Sequence, residues 1–279
     1  MKDILLKRRV KGRIYIALCY GALAVALVPL LSILLVTTSK ALPVIDSQFV
    51  TQLPAPVGSP GGGIANAIQG TAIVVGVASL IGIPVGVLSG IYLSEYGGKL
   101  ADLVRFLNEV LTGFPSIVVG LFVWGTIVMT LHHFAAIAGS IALSILMIPV
   151  VSRTTEESLK LVPKDLREAA LALGIPKWRT TLSIVLSSGR NGVITGSILA
   201  VSRVAGETAP MLLTSLSSSF WFSSLDQPVA TLPITIYYYA ISPFVDLQNK
   251  AWGAAFLLMA FLLATSVSVR VISGRRVTA

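Results

Sequence analysis

Charge is what this chain has least of. Asp, Glu, Lys and Arg together make up 12% of its 279 residues, about half the share of a typical soluble domain. With 54% of positions hydrophobic and a mean hydropathy of +0.86, a soluble globular chain is excluded and an integral membrane protein is implied. Cysteine is almost absent: Cys19 stands alone, so no intrachain disulfide can form. Acid is scarce beside base, 12 residues against 21, and the net charge is +9. Such an excess fits either a nucleic-acid surface or loops held on one side of a bilayer, and position decides between them. Two chemistries are missing. No G-x-x-x-x-G-K-[ST] phosphate loop occurs, since Gly97-Gly98-Lys99 is followed by Leu100 and position 93 is Leu. No nucleophile–base constellation is visible either. The chain reads as a non-enzyme.

What the chain has in abundance is apolar runs. A helix crossing a bilayer needs about 20 mostly apolar residues. Six stretches qualify, at about 14–36, 66–93, 108–130, 134–151, 191–215 and 251–271. The first follows a basic arm, 1–13, and invites comparison with a secretory signal. Its 23 apolar residues exceed the roughly 7–15 of a signal core, and no small-residue cleavage site follows directly. It reads as a retained span. The expected fold is all-α: one polytopic domain, 14–275, with six transmembrane helices and no repeat of fixed period.

Lys and Arg then set the orientation. The basic arm, the span 2–3 connection with Lys99 and Arg105, the span 4–5 connection and the C-terminus with Arg270, Arg275 and Arg276 hold 18 of the 21. Lys40 and Lys250 fall on the other side, and Arg203 lies within a span. The positive-inside rule places both termini in the cytoplasm. The basic excess is topology, and no nucleic-acid partner is expected. Outside, "PAPVGSPGGG" (54–63) is a linker with no capacity for a core. Trp221, Tyr237, Tyr238 and Tyr239 suit an interfacial aromatic anchor or a docking surface for an external partner.

Small residues at four-residue spacing, Gly82, Gly86 and Gly90 and then Gly192, Gly196 and Ala200, predict close helix packing. Pro84 and Pro149 predict kinks. His132 and His133, adjacent on a short turn, lack further ligands for a metal.

The cytoplasmic stretch "LVPKDLREAALALGIPKWRTTLSIVLSSG" predicts a helix after Pro163, a left-handed turn at Gly174 and a second helix after Pro176. Leu166, Ala169, Ala170 and Leu173 recur at helical spacing. That stripe suits a helix resting on the bilayer or bundle, or one that docks into a partner's groove. In the fifth run, "RVAGETAP" puts Arg203 about 18 Å along a helix from Asn191, near the bilayer midplane, with Glu207 one turn beyond on the same face. Each such charge costs about 2.5–3.5 kcal/mol at the bilayer centre. They read either as a structural ion pair or as a cation awaiting an anion.

Glu168-Ala169-Ala170, three residues, Gly174, nine residues and Ile184-x-Leu186 resemble the EAA loop of ABC-importer permeases; Ser187 stands where the family pattern has Pro. "RVAGETAPMLLTS", with "GGGIANAIQGT" and "GIYLSEYGG", resembles phosphate-specific permeases of that class across residues 10–275. The resemblance implies the type I ABC-importer permease fold in the bacterial inner membrane. It makes 163–186 a coupling loop, with Glu168, Ala169, Ala170 and Gly174 meeting an ATPase. It also places Arg203, Glu207 and Thr208 on a phosphate pathway. The implied partners are a second, homologous permease, two ATP-binding subunits and an extracytoplasmic phosphate-binding protein. No cofactor is expected on this chain; ATP and Mg belong to the ATPases. Two alternatives remain: a permease for sulfate or molybdate, and a self-contained anion channel or ion-coupled carrier.

Overall fold

A computed structural model describes residues 2–59 and 61–274. Met1, Pro60 and 275–279, with Arg275 and Arg276 among them, lie outside the described residues. In chain order the helices are α1 (Lys2–Ala41), α2 (Ser47–Thr51), α3 (Ala65–Glu95), α4 (Lys99–Gly113) and α5 (Ser116–Leu131). There follow α6 (Ala136–Lys160), α7 (Lys164–Ala172), α8 (Lys177–Ala205), α9 (Ala209–Thr214), α10 (Leu232–Ala240) and α11 (Val245–Gly274). Among the described residues there is no strand. Helices α1, α3, α6, α8 and α11 are each long and apolar enough to cross a membrane, while α4 and α5 qualify only as a pair bent by 103°. The described residues therefore hold five such spans, or six with the bent pair as one.

That bend replaces the straight helix expected over 108–130, and Pro115 explains it. Inside a helix its ring would meet the carbonyl of Leu111, and it has no N–H to donate there. It also pushes the preceding residue out of helical space, and Phe114 is extended at φ −72°, ψ 138°. The helix ends at Gly113 and α5 starts afresh in a new direction.

The core forms where α3 and α8 flank α6. Gly82, Gly86 and Gly90 of α3 lie against Met147, Val151 and the Ser152–Thr155 turn of α6. A Cβ on Gly86 would stand 2.7 Å from that of Val151, and one on Gly90 2.5 Å from the Ser152 carbonyl oxygen. Gly192 and Gly196 of α8 make the same kind of approach to Ser158 and Thr154. Without side chains on these stripes the axes come close enough for dispersion and short contacts to hold the bundle. Val74, Ala78, Leu143, Met147, Val151, Ala200 and Val204 fill the space between. Helix α1 differs, because its apolar window buries no residue in the rest of the chain. It is held by its last turns, where Thr37 and Ala41 are buried and Lys40 stands 5.0 Å from the Trp252 ring of α11.

The bundle has two distinct ends. At one, the loop end, the 161–176 connection meets the last residue of α3 and the first turns of α8. At the other, the far end, the 216–231 segment crosses the bundle: Asn66 donates to the Ser218 carbonyl, and the Phe222 N–H donates to Gln69.

Candidate functional site

Two regions carry the residues singled out by sequence, one at the loop end and one where α8 stops inside the bundle, level with the middle of α6. At the loop end α7 finishes in a paired-hydrogen-bond turn: Gly174 N–H donates to the Leu171 carbonyl at 3.0 Å and Ile175 N–H to that of Ala170 at 3.2 Å. This closure needs a left-handed residue after the helix, and Gly174 supplies it at φ +78°. Pro176 then precedes α8. Glu168 and Ala169 are exposed, as are Leu166, Leu171, Leu173 at 81% and Trp178 at 63%. Ala170 departs from the expected stripe: it is 3% exposed and faces the chain's own bundle. The outward apolar face is therefore Leu166, Ala169, Leu173 and, added by the structure, Trp178.

Arg167 was not legible as special. It points inward, where it pairs with Glu95 at 3.0 Å and donates to the carbonyls of Leu159 and Val162.

Where α8 stops, beside Thr265 of α11, the expected geometry changes. A single helix over 191–215 would have stacked Glu207 on Arg203. Instead the helix expected after Pro176 and the fifth run form one helix, α8, which starts at Lys177 and stops at Ala205. Gly206 and Glu207 close it with short backbone bonds to the carbonyls of Arg203 and Val204. Pro210 is the cause: continued helix would drive its ring into the Gly206 carbonyl, whereas at the start of α9 a proline is tolerated. Arg203 thus occupies the last turn of α8, where the carbonyl end of the helix favours a cation. It does not lie mid-helix. It is exposed and makes no ion pair with Glu207 or any other described residue. Glu207 is half-buried and turns to a small cavity shared with Thr71, Val204, Met211 and Thr231. Thr231 Oγ1 is buried there without a protein partner. Thr208 is half-buried beside it and immediately precedes α9, without a side-chain bond to the helix's first N–H groups.

A polar cleft of about 190 Å³ at the loop end, lined by Arg105, Asn108, Glu109, Arg153, Glu156, Glu157 and Lys160, is a rival anion site. Its cations are already matched. Arg105 and Lys160 share Glu156 at 2.9 and 2.6 Å, and Arg153 pairs with Glu157 at 3.0 Å. It is an ion-pair network closing α4 on α6, whereas Arg203 has no ion-pair partner among the described residues. His132 takes a left-handed φ of 61°, and His133 lies 3.5 Å from Asp226. No cluster of three potential metal ligands occurs among the described residues.

Residues 82–277 match the family of binding-protein-dependent transport system inner membrane components. The chain belongs to that family. The matched stretch of this transport component contains both regions, the 163–186 loop and the Arg203–Thr208 break, and leaves α1 and the 54–63 linker before it. The component is 45% identical to the phosphate transport system permease protein PstA of Yersinia pestis, over 96% of this chain and 92% of that protein. It is 42% identical to PstA of Haemophilus influenzae, over 94% of each. PstA 1 of Mycobacterium tuberculosis is 36% identical, over 99% of this chain and 92% of its own length. The transport component also resembles a subunit of the inward-facing MetNI methionine ABC transporter in fold, at 17% identity. The TM-score is 0.57 over 75% of this chain and 94% of that one.

Proposed function

We propose that this component is one transmembrane subunit of an ATP-driven importer of inorganic phosphate in the bacterial cytoplasmic membrane. One observation carries the substrate: relatives at 45% and 42% identity, matched over more than nine tenths of both lengths, are named phosphate transport permeases. The site supports the wider class, because an exposed guanidinium offers forked donors that suit a tetrahedral oxyanion. Sulfate or molybdate would meet the same fork, so the choice of phosphate rests on the relatives. Arg203 receives the anion, and Glu207 and Thr208 line the break in the chain beside it.

The loop end faces the cytoplasm in this reading, since 18 of the 21 Lys and Arg lie on its side. The far end faces out, toward an extracytoplasmic phosphate-binding protein. The partners are a second, homologous permease and two ATP-binding subunits that carry ATP and Mg. The unburied apolar surface of α1 is offered to lipid and to that second permease. When the ATPases close on ATP they draw on the 163–186 loop through Glu168, Ala169 and Gly174, with Ala170 fixing the helix from behind. The bundle then switches access as a rigid body.

A self-contained carrier would have no use for Leu173 and Trp178 held out on a helix–turn–helix. Affinity purification of the chain co-expressed with its partner subunits tests the reading. A stable complex with a second permease and two ATPases is expected. A chain that purifies alone and passes phosphate without ATP would contradict it.

A further inference from the structure

Arg167 adjoins the exposed Glu168, yet its side chain runs the opposite way. Nη1 donates to the Val162 carbonyl at 3.1 Å; Nη2 donates to the Leu159 carbonyl at 2.8 Å and to the Glu95 carboxylate at 3.0 Å. Glu95 is the last residue of α3, and its side chain is 7% exposed against 20% for that of Arg167. Leu159 belongs to the last turn of α6, and Val162 follows it. A second cation reaches the same corner from the other side of the loop. Lys177, the first residue of α8, donates to the Glu95 carbonyl at 2.9 Å and stands 4.3 Å from the Tyr96 ring, itself stacked on Tyr92.

The last carbonyls of a helix have no partner within it and carry its negative pole. Here those of α3 and α6 are met by cations from the two ends of one loop. Exposed ion pairs contribute little, but this one is largely buried and charge-assisted, and its planar fork reaches three acceptors at once. The two helices it joins share the glycine seam around Gly86 and Gly90. Glu168 and Ala169 stay free on the opposite side of α7.

We infer that Arg167 is a positioning residue that locks the 163–176 loop onto the ends of α3 and α6, so that force applied to α7 moves those helices as one body. The inference rests on the proposed coupling role of this loop. Without the clamp, α7 would swing on its flanking residues and ATP turnover would proceed with little transport.

The test uses the assembled complex in liposomes and reads two quantities, the yield of complex and the phosphate moved per ATP hydrolysed. Arg167→Gln keeps the yield and lowers the ratio by about twofold to thirtyfold, the span that single residues in a coupling network reach. Arg167→Lys recovers part of the loss, since a point charge cannot hold three acceptors. Glu95→Gln shifts the ratio the same way but less, because both carbonyl bonds survive. A parental ratio in Arg167→Gln overturns the clamp and leaves the coupling loop standing. Yield falling in step with uptake in both Arg167→Gln and Glu95→Gln also overturns it, because the pair then serves only the fold. The coupling role fails separately, if Glu168→Lys and Gly174→Ala leave ATPase co-purification and uptake at parental levels.

Discussion

Arg167 and Arg203 show how one side chain is put to two uses. The first is bound on three sides and holds helices together. The second is exposed at a helix end and paired with nothing among the described residues. Arg203→Gln is therefore expected to abolish phosphate uptake while the complex assembles at its normal yield, and Arg203→Lys to restore only part, because the fork is lost. Loss of assembly in Arg203→Gln would make the residue structural. The helix break also alters what Glu207 does. Turned toward Thr71 and Thr231, it is no counter-ion for Arg203. A double-mutant cycle of Arg203→Gln and Glu207→Gln on the thermal stability of the complex should give a coupling within about 0.5 kcal/mol. A coupling well above about 1 kcal/mol would restore the ion pair that a continuous helix implied.

At the scale of elements, the α7–Gly174–α8 turn is where sequence and geometry agree most closely. Nothing lies within 4 Å of a Cβ built on Gly174, so there is room for alanine; its φ of +78° is the obstacle. Gly174→Ala should destabilise the turn by about 1–2 kcal/mol and weaken ATPase co-purification, with membrane insertion unaffected. Glu168→Lys should weaken it by changing the charge beside the exposed apolar face. Pull-down of the ATPase checks both. The turn was legible because a glycine between two prolines acts locally, within a few residues of itself. The all-helical class was legible because apolar runs of this length have no other solution in a bilayer.

The bend at Pro115 and the break before Pro210 were missed for a shared reason. Hydropathy averages over a window, so it reads 108–130 and 191–215 as unbroken although each contains a helix-stopping residue. Pro115 and the Gly206…Pro210 pair were the signals that would have found them. The start of α8 after Pro176 was legible, but its unbroken run into the fifth span was hidden, since Lys177, Arg179 and Arg190 made its first turns look like a separate loop helix. The Glu95–Arg167 contact joins residues 72 apart, and no local spacing announces it. Neither does the burial of Ala170, which depends on the neighbours α7 docks against.

For the molecule as a whole, orientation comes before mechanism. With Cys19 replaced by Ser, a cysteine at Leu173, 81% exposed at the loop end, should label only from the cytoplasm, and one at the exposed Ser59 only from outside. Labelling of the Leu173 site from outside would reverse the topology and remove the ATPase from reach. The central claim is that this chain carries phosphate only as part of an ATP-driven assembly. The most direct measurement is phosphate uptake by liposomes holding the two permeases and the ATPases, with the binding protein on the far-end side and ATP on the loop-end side. Uptake should require ATP and the binding protein, choose phosphate over sulfate and molybdate, and vanish in Arg203→Gln. Uptake that proceeds without ATP, or that follows sulfate as readily as phosphate, would contradict the account.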